Sequence, residues 1–192
     1  MRASSGRLAR APLAAAALFA GIVSVVFAAQ GDVGSAKRLE AAPRSEPAPI
    51  ATLRPLAIPV EGVAVAELRD TFDDGRPGHR HEAIDIAAPR GTRVLAVDDG
   101  RLVKLFASVP GGLTIYQFDP GERFAYYYAH LDGYAEGIRE GMPLRRGQVI
   151  GYVGSTGNAS PAAPHLHFAV FRLGPERRWW KGEAINPFGA LH

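Results

Sequence analysis

Residues 164–171 read Pro164-His165-Leu166-His167-Phe168-Ala169-Val170-Phe171, an apolar run that contains two histidines. In a β-strand, residues i and i+2 point to the same face and lie about 7 Å apart along the chain. The two imidazoles would therefore converge on one site, while Leu166 would turn to the opposite face. Such a strand can supply half of a metal site, but it fits equally well two ordinary histidines that bond to neighbouring carbonyl groups.

The composition favours a turn-rich β domain. The chain of 192 residues has 22 glycines and 15 prolines, and this frequency of turn residues is typical of an all-β or mostly β domain. Its net charge is +3 and its arginines are scattered along the sequence, so we do not expect nucleic-acid binding. There is no cysteine, which leaves histidine, aspartate and glutamate as metal ligands.

The first 29 residues have the pattern of an export signal. Arg2, Arg7 and Arg10 precede an uncharged run from Ala11 to Ala29, and signal peptides combine a charged and an apolar region in this order. We therefore expect export to the cell envelope, the periplasm. A cleaved signal and an uncleaved inner-membrane anchor both fit, because the 19 residues of the run nearly reach the roughly 20 that span a bilayer. Only this segment, if it stays uncleaved, is expected to contact a membrane.

The rest of the chain divides into a linker and one folded domain. Residues 30–56 are rich in proline, alanine and charge and predict an extended linker. Residues 57–192 contain seven runs of strand length, separated by glycine, proline and aspartate. These runs are residues 84–87, 93–97, 101–107, 113–118, 124–131, 148–153 and 165–172. They predict an all-β domain of two packed, mainly antiparallel sheets or a partly opened sandwich. A short helix fits only residues 64–72.

A second candidate pair is His81 and Asp85. The helical zinc motif His-Glu-x-x-His does not apply, because the fifth residue is an aspartate and Pro89 stops a helix within one turn. In a straight strand His81 and Asp85 would be about 13 Å apart. We therefore predict a bend near Glu82 or Ala83 that brings the two side chains together. We expect the Glu82 side chain to be exposed to solvent or to contact a metal ligand without binding the metal itself.

A third histidine ends the aromatic run of residues 126–131, Tyr-Tyr-Tyr-Ala-His-Leu. Strand alternation predicts that Tyr126, Tyr128 and His130 share one face and that Tyr127 and Leu131 point to the other. We expect the tyrosines to belong to an aromatic core. His130 belongs to a functional site only if this strand meets the other two histidine elements.

Three spaced motifs, in this order, resemble those of the lysostaphin/LytM-type family of zinc peptidases, which cleave peptidoglycan. They are His81-x-x-x-Asp85, Tyr128-x-His130-Leu131 and His165-x-His167, with Gly147-Gln148-x-Ile150-Gly151-x-x-Gly154-x-Thr156-Gly157 before the last. The resemblance covers roughly residues 70–172 and implies a sandwich-like β domain with a groove and a single zinc ion. It implies that His81, Asp85 and His167 are the zinc ligands and that His130 and His165 are catalytic.

The resemblance implies a zinc endopeptidase that cleaves the stem peptides or cross-links of peptidoglycan. Two imidazoles and one carboxylate leave zinc an open position for a water, whose pKa falls towards about 7, and two further histidines would transfer protons. Family members that have lost ligands activate other wall hydrolases, so the alternative is a non-catalytic peptidoglycan-binding or amidase-activating module. A hydrolase of some other peptide would share the site. The bond cleaved and the oligomeric state stay open.

Two further stretches bear on substrate binding. Ala83 stands where the family usually has glycine, and Ala169 stands where it often has glutamate. Ala162-Ala163 replace the small polar residue and glycine that commonly precede Pro164. These differences leave the shape of the groove, and with it the preferred peptide, open. Residues 177–181 read Arg-Arg-Trp-Trp-Lys. They would either contact sugars or an anionic wall polymer, or pack a tryptophan beneath solvated charges, and we favour the packed interpretation.

Overall fold

The computed structural model describes residues 52–192. This part of the chain contains eleven β-strands, two short 3₁₀ helices and no α-helix. The strands are β1 (Gly75–Arg76), β2 (His79–Arg80), β3 (Ile84–Ala87), β4 (Arg93–Leu95), β5 (Gly100–Ser108), β6 (Gly112–Phe118), β7 (Phe124–Tyr134), β8 (Pro143–Leu144), β9 (Val149–Val153), β10 (His165–Leu173) and β11 (Gly182–Ile185). The 3₁₀ helices are Val65–Glu67 and Phe188–Ala190.

The all-β prediction is confirmed, and each of the seven predicted runs contains a strand. The short helix expected over residues 64–72 is limited to Val65–Glu67. Leu68, the next residue, has extended backbone angles and is the one residue of this segment that is buried. A helix here would lack the apolar stripe that stabilises amphipathic helices by packing.

Nine strands are joined by hydrogen bonds into one antiparallel sheet. The order of its main path is β11-β10-β7-β6-β5-β8, and β1 pairs only with β2 in a separate hairpin. The sheet branches because β10 and β7 each pair with a third strand. β10 also pairs with β3, and β7 also pairs with β9, which in turn pairs with β4. The expected β core is thus built from one branched sheet, because β7 and β10, with 11 and 9 residues, are each long enough to pair with two different strands along one edge.

Alternation along β3, β7 and β10 separates the core from a face that carries polar groups. Large buried residues occupy every second position, and each contributes about 1.5–3 kcal/mol when it is fully buried. They are Ile84 and Ile86 in β3, Tyr126 and Tyr128 in β7, and Leu166, Phe168 and Val170 in β10. Asp85, His165 and His167 lie between these positions and therefore point to the opposite face.

The described end of the predicted linker packs on the domain. Leu56 is completely buried and forms a bridge with Leu191, and Leu53 packs against the core. Arg54 donates a hydrogen bond of 2.6 Å to the Asp98 carboxylate. The folded domain therefore includes residues 53–56, which the sequence analysis assigned to the linker because proline and charge dominate that stretch.

Two predictions concern residues outside the described range. The export segment, residues 1–29, and the linker up to residue 51 lie there. Within residues 52–192, no helix is long and apolar enough to span a bilayer.

A buried polar network connects β7 with the neighbouring strand and turn, and it places the two core tyrosines. The Tyr128 hydroxyl accepts a hydrogen bond of 3.0 Å from the Val97 backbone N–H and donates one of 2.7 Å to Gln117 Oε1. Gln117 Nε2 donates to the Asp98 carbonyl at 2.7 Å, and the Tyr126 hydroxyl donates to the Asp98 carboxylate at 3.2 Å. These pairings allow polar groups to be buried at low cost.

We predict that Tyr128→Phe lowers the free energy of unfolding by about 1–3 kcal/mol. The substitution leaves the Val97 N–H and the Gln117 oxygen without their partner in a site that excludes water. Urea denaturation of the purified protein measures the effect. Tyr152→Phe is the control, because Tyr152 is only half-buried, and it should change stability by less than about 0.5 kcal/mol. Equal stability of the two variants would show that the network does not stabilise the fold.

Candidate active site

A groove of about 470 Å³ is formed by β3, β7, β10, the β1–β2 hairpin and two adjoining loops. All five residues that the sequence analysis selected line this groove: His81, Asp85, His130, His165 and His167. The structure therefore brings the three separate motifs together at one place.

Strand pairing sets the positions of Asp85 and His167. β3 and β10 are antiparallel, and their register places Asp85 directly opposite His167. Opposed residues of paired strands point to the same face, so both side chains enter the groove. His165 lies two residues before His167 and shares this face, as the His-x-His spacing predicted.

His81 reaches the site through the bend that the sequence analysis required. Glu82 has a φ of 54°, in the left-handed region that residues other than glycine rarely adopt. The bend brings His81 Nε2 to 3.0 Å from Asp85 Oδ1, although a straight strand would separate the two residues by about 13 Å. The side chain of Glu82 is exposed, as expected for a solvated group.

The predicted orientation of His130 is wrong, because β7 contains a bulge. Leu113 of β6 pairs with Leu131 of β7, and Ile115 pairs with Tyr128. Between these two pairs β6 has one residue, and β7 has two, Ala129 and His130. His130 has a φ of 61°, and an extra residue of this kind reverses the alternation that follows it. The bulge turns His130 into the groove, on the side of Tyr127 instead of Tyr128, and buries Leu131 completely.

Three side-chain atoms that could bind a metal ion face one another at nearly equal distances. His81 Nε2 lies 3.0 Å from Asp85 Oδ1 and 3.1 Å from His167 Nδ1, and the latter two atoms are 3.2 Å apart. A tetrahedral zinc with bonds of about 2.0–2.1 Å needs ligand atoms roughly 3.3–3.4 Å apart. These three residues form the one group in residues 52–192 whose geometry suits a metal ion, and the donor set and spacing fit zinc.

Contacts outside this triangle orient its members. His81 Nδ1 lies 2.9 Å from the Thr71 carbonyl oxygen. Because a carbonyl can only accept, Nδ1 carries the hydrogen and Nε2 presents a lone pair to the groove. Burial lowers the pKa of His81, which favours the neutral, ligating form. The Thr71 hydroxyl also accepts the Asp85 backbone N–H at 3.1 Å.

Arg76 holds the second oxygen of Asp85. Its guanidinium donates a hydrogen bond of 2.9 Å to Oδ2, so Oδ1 is the atom that faces the histidines. Burial opposes ionisation of Asp85, but the contact of Oδ1 with His167 Nδ1 and the interactions with the neighbouring histidines outweigh it and lower the pKa of Asp85 to about 2. Asp85 is therefore a carboxylate at neutral pH.

His130 and His165 lie beside the three candidate metal-binding atoms, and both rings are held in the same way. Nδ1 of His130 donates to the Thr156 carbonyl at 2.8 Å, and Nδ1 of His165 donates to the Ala163 carbonyl at 2.9 Å. Each ring therefore keeps Nε2 free to accept a proton. The two ring centroids are 5.0 Å apart, and His165 Nε2 lies 3.7 Å from Asp85 Oδ1. Burial lowers the pKa of His130, so it stays available as a base.

Arg76 and Thr71 were missed by the sequence analysis. Thr71 acts mainly through its backbone carbonyl, which leaves no signal in the side-chain pattern. Arg76 did have a signal, since Pro77-Gly78 is a turn pair that places Arg76 in a hairpin just before His81.

A family model described as peptidase family M23 matches residues 79–187, more than half of the chain. The chain belongs to this family. The match spans all five residues of the site, and it confirms the resemblance that the three motifs predicted.

The relatives in the M23 family include peptidases and an activator. The chain is 35% identical over 119 residues to the L-Ala--D-Glu endopeptidase of Bacillus subtilis (strain 168), which covers 58% of this chain and 36% of that protein. It is 30% identical over 143 residues to the murein hydrolase activator NlpD of Escherichia coli (strain K12), and this match covers 74% of this chain and 32% of NlpD. The chain thus spans about a third of the length of both.

A solved structure of a peptidase domain resembles the described residues of this chain. The catalytic domain of the antimicrobial peptidase lysostaphin from Staphylococcus simulans superposes with a TM-score of 0.51 at 30% identity. The superposition covers 60% of this chain and 81% of the lysostaphin domain. The all-β fold of the described residues is therefore that of M23 peptidases.

We predict that the bend at Glu82 tolerates glycine and rejects β-branched residues. Glu82→Gly should leave the free energy of unfolding unchanged within about 1 kcal/mol, because glycine adopts a positive φ without strain. Glu82→Val should lower it by at least about 1–2 kcal/mol. The matched control is Glu136→Val, at an exposed residue outside the positive-φ set. Equal losses for the two Glu82 variants in urea denaturation would contradict this account of the bend.

Proposed function

We propose that the chain is a zinc-dependent endopeptidase that hydrolyses peptide bonds in the stem peptides or cross-links of bacterial peptidoglycan. The observation that carries the proposal is the convergence of His81, Asp85, His130, His165 and His167 in one groove. Three of these side chains suit a metal ion and two suit proton transfer, which together meet the chemical needs of amide hydrolysis.

His81 Nε2, Asp85 Oδ1 and His167 Nδ1 would hold the zinc, and Thr71 and Arg76 would fix the first two ligands. A bound zinc supplies Lewis acidity, which polarises a peptide carbonyl and lowers the pKa of water towards about 7. The carboxylate of Asp85 reduces the local positive charge. The bend at Glu82 keeps His81 within reach of the other two ligands.

His130 and His165 would transfer the protons of the reaction. A carbonyl group accepts a hydrogen bond from Nδ1–H of each ring, so in the neutral imidazole the lone pair is on Nε2. Either ring can accept a proton from the attacking water at Nε2, and the resulting imidazolium can stabilise negative charge on the substrate oxygen or give the proton to the leaving amine. The ring centroids are 5.0 Å apart, which is close enough for both rings to act on one scissile bond in this proposal.

The second candidate function is a non-catalytic activator of other wall hydrolases. It is favoured by the 30% identity to NlpD over 74% of the chain. The complete set of two imidazoles, one carboxylate and two further histidines supports the enzyme instead, since a binding module needs none of them. Both functions require export, because peptidoglycan lies outside the cytoplasm. The pattern of residues 1–29 supports export, and cell fractionation tests it directly.

The direct test is hydrolysis of isolated peptidoglycan sacculi by the purified chain. We expect release of soluble muropeptides, its loss with a chelator and its recovery with added zinc. Mass spectrometry of the products identifies the bond that is cleaved. If the chain alone releases nothing but increases release by an added amidase, the activator function is correct and the endopeptidase function is not.

We predict that the five site residues fall into two classes on substitution. His167→Ala and Asp85→Ala should lower both zinc occupancy and turnover, since only three side chains hold the ion. His130→Ala should keep zinc near one per chain and reduce turnover by roughly 10²- to 10⁴-fold. His165→Ala should behave like His130→Ala. Zinc content and sacculus hydrolysis are measured on the same preparations at equal folded fraction.

The control for these variants is His192→Ala, at an exposed histidine outside the groove. It should match the unmodified chain in zinc content and rate. Loss of zinc from His130→Ala to the same extent as from His167→Ala would refute the division into ligands and proton carriers. Unchanged turnover in His130→Ala would refute it equally.

A further inference from the structure

A row of aromatic rings leads away from the candidate metal site along the sheet. Tyr127 lines the groove, and its ring centroid lies 6.0 Å from that of His167. Tyr116 is opposite Tyr127 on β6, with the ring centroids 4.7 Å apart. The groove surface is therefore continued by two tyrosines that are only half-buried.

The loop between β10 and β11, residues 174–181, adds two tryptophans to this row. The ring of Trp179 lies 4.8 Å from that of Tyr116 and 5.5 Å from that of Phe106. Trp180 follows at 5.2 Å from Trp179. Together Phe106, Tyr116, Tyr127, Trp179 and Trp180 form an aromatic strip that begins at the groove and ends at the surface.

The outer end of the aromatic strip is exposed to solvent. Trp180 is 61% exposed and Phe106 is 41% exposed, and both belong to the few large apolar residues in 52–192 with this exposure. The packed interpretation of the Arg-Arg-Trp-Trp-Lys stretch thus holds for Trp179, which is half-buried, and fails for Trp180. Clustered exposed aromatic residues beside a groove indicate a binding surface.

Charged groups surround this exposed end. The Arg178 guanidinium lies 5.8 Å from the ring centroid of Trp180 and forms a 2.7 Å ion pair with Glu176. Lys181 is exposed beside it. Flat rings within a polar, charged rim suit a pyranose sugar, which has apolar C–H faces and polar hydroxyl edges. A lipid surface or a protein core would require a wider apolar rim.

We propose that the aromatic strip binds the glycan strand of peptidoglycan, through N-acetylated sugars that lie against Trp180 and Phe106. This inference rests on the proposed function, because the peptide that enters the groove is covalently attached to such a sugar. The strip meets the groove at Tyr127, so a polymer whose peptide lies at the metal site places its glycan along the strip. The positive charge of the exposed Lys181 complements the carboxylates that the polymer carries.

The test combines a binding assay with a comparison of two substrates. Calorimetry measures binding of a β-1,4-linked N-acetylglucosamine tetrasaccharide, which contains no peptide, to the full chain. Kinetics compare a peptide stem attached to its glycan with the same peptide without sugars. The variants are Trp180→Ala, Phe106→Ala and the conservative Trp180→Phe. Val65→Ala is the control, since Val65 is 51% exposed and lies outside the strip.

Trp180→Ala should weaken tetrasaccharide binding by about tenfold, which corresponds to a loss of ~1.4 kcal/mol. It should raise KM for the glycan-linked peptide by a similar factor and leave kcat and the KM of the free peptide unchanged. Phe106→Ala should act in the same direction, Trp180→Phe should retain most of the affinity, and Val65→Ala should change nothing. Absence of tetrasaccharide binding to the unmodified chain, or an equal rise in KM for both substrates, would overturn the inference.

The two proposals fail in different ways. Tetrasaccharide binding requires neither zinc nor turnover. If the chain binds the sugar through Trp180 but cleaves neither substrate, the strip is supported and the endopeptidase function is refuted. If the chain cleaves both substrates with the same KM and binds no sugar, the endopeptidase function stands and the strip does not bind glycan.

Discussion

The antiparallel pairing of β3 with β10 is the constraint on which the site depends. It places Asp85 opposite His167 and puts both on the face away from the core, while Ile84, Ile86 and Leu166 on the other face anchor the two strands. The hydrophobic pattern that fixes the register thus also fixes the relative positions of Asp85 and His167, since a slip of one residue would exchange the two faces. Fold stability and site geometry are therefore set by the same strand contacts.

Regular strands alone would not complete the site. His81 and His130 reach it only because the backbone adopts a positive φ at Glu82 and at His130 itself. Each irregularity costs roughly 1–2 kcal/mol for a residue other than glycine, and such strain persists where the surrounding structure over-determines it. Here the backbone N–H groups of both residues are held, Glu82 by the Phe72 carbonyl at 2.9 Å and His130 by the Gly111 carbonyl at 2.8 Å.

The sequence predicted the all-β class and the seven runs that contain strands, because these depend on turn residues and alternation. The five residues that converge in the groove were implied by the resemblance of three spaced motifs to a known family. The sequence also predicted the bend beside His81, from the distance that a straight strand would impose. It did not predict the bulge at His130, since one extra residue in a strand has no signature in the side-chain pattern. It did not predict the contact between Arg76 and Asp85, because that contact depends on how the β1–β2 hairpin folds back. The branching of the sheet was not predicted either, because it depends on which strands share an edge.

We propose that three of the five residues bind zinc and that the other two do not. The most direct measurement is the anomalous diffraction at the zinc absorption edge from crystals of the full chain grown with zinc. We expect one peak, which marks a zinc ion bonded at about 2.0–2.2 Å to His81 Nε2, Asp85 Oδ1 and His167 Nδ1. His130 and His165 should lie nearby without a bond to the ion. A zinc ion coordinated by His130 or His165 in place of one of these three ligands would contradict this proposal.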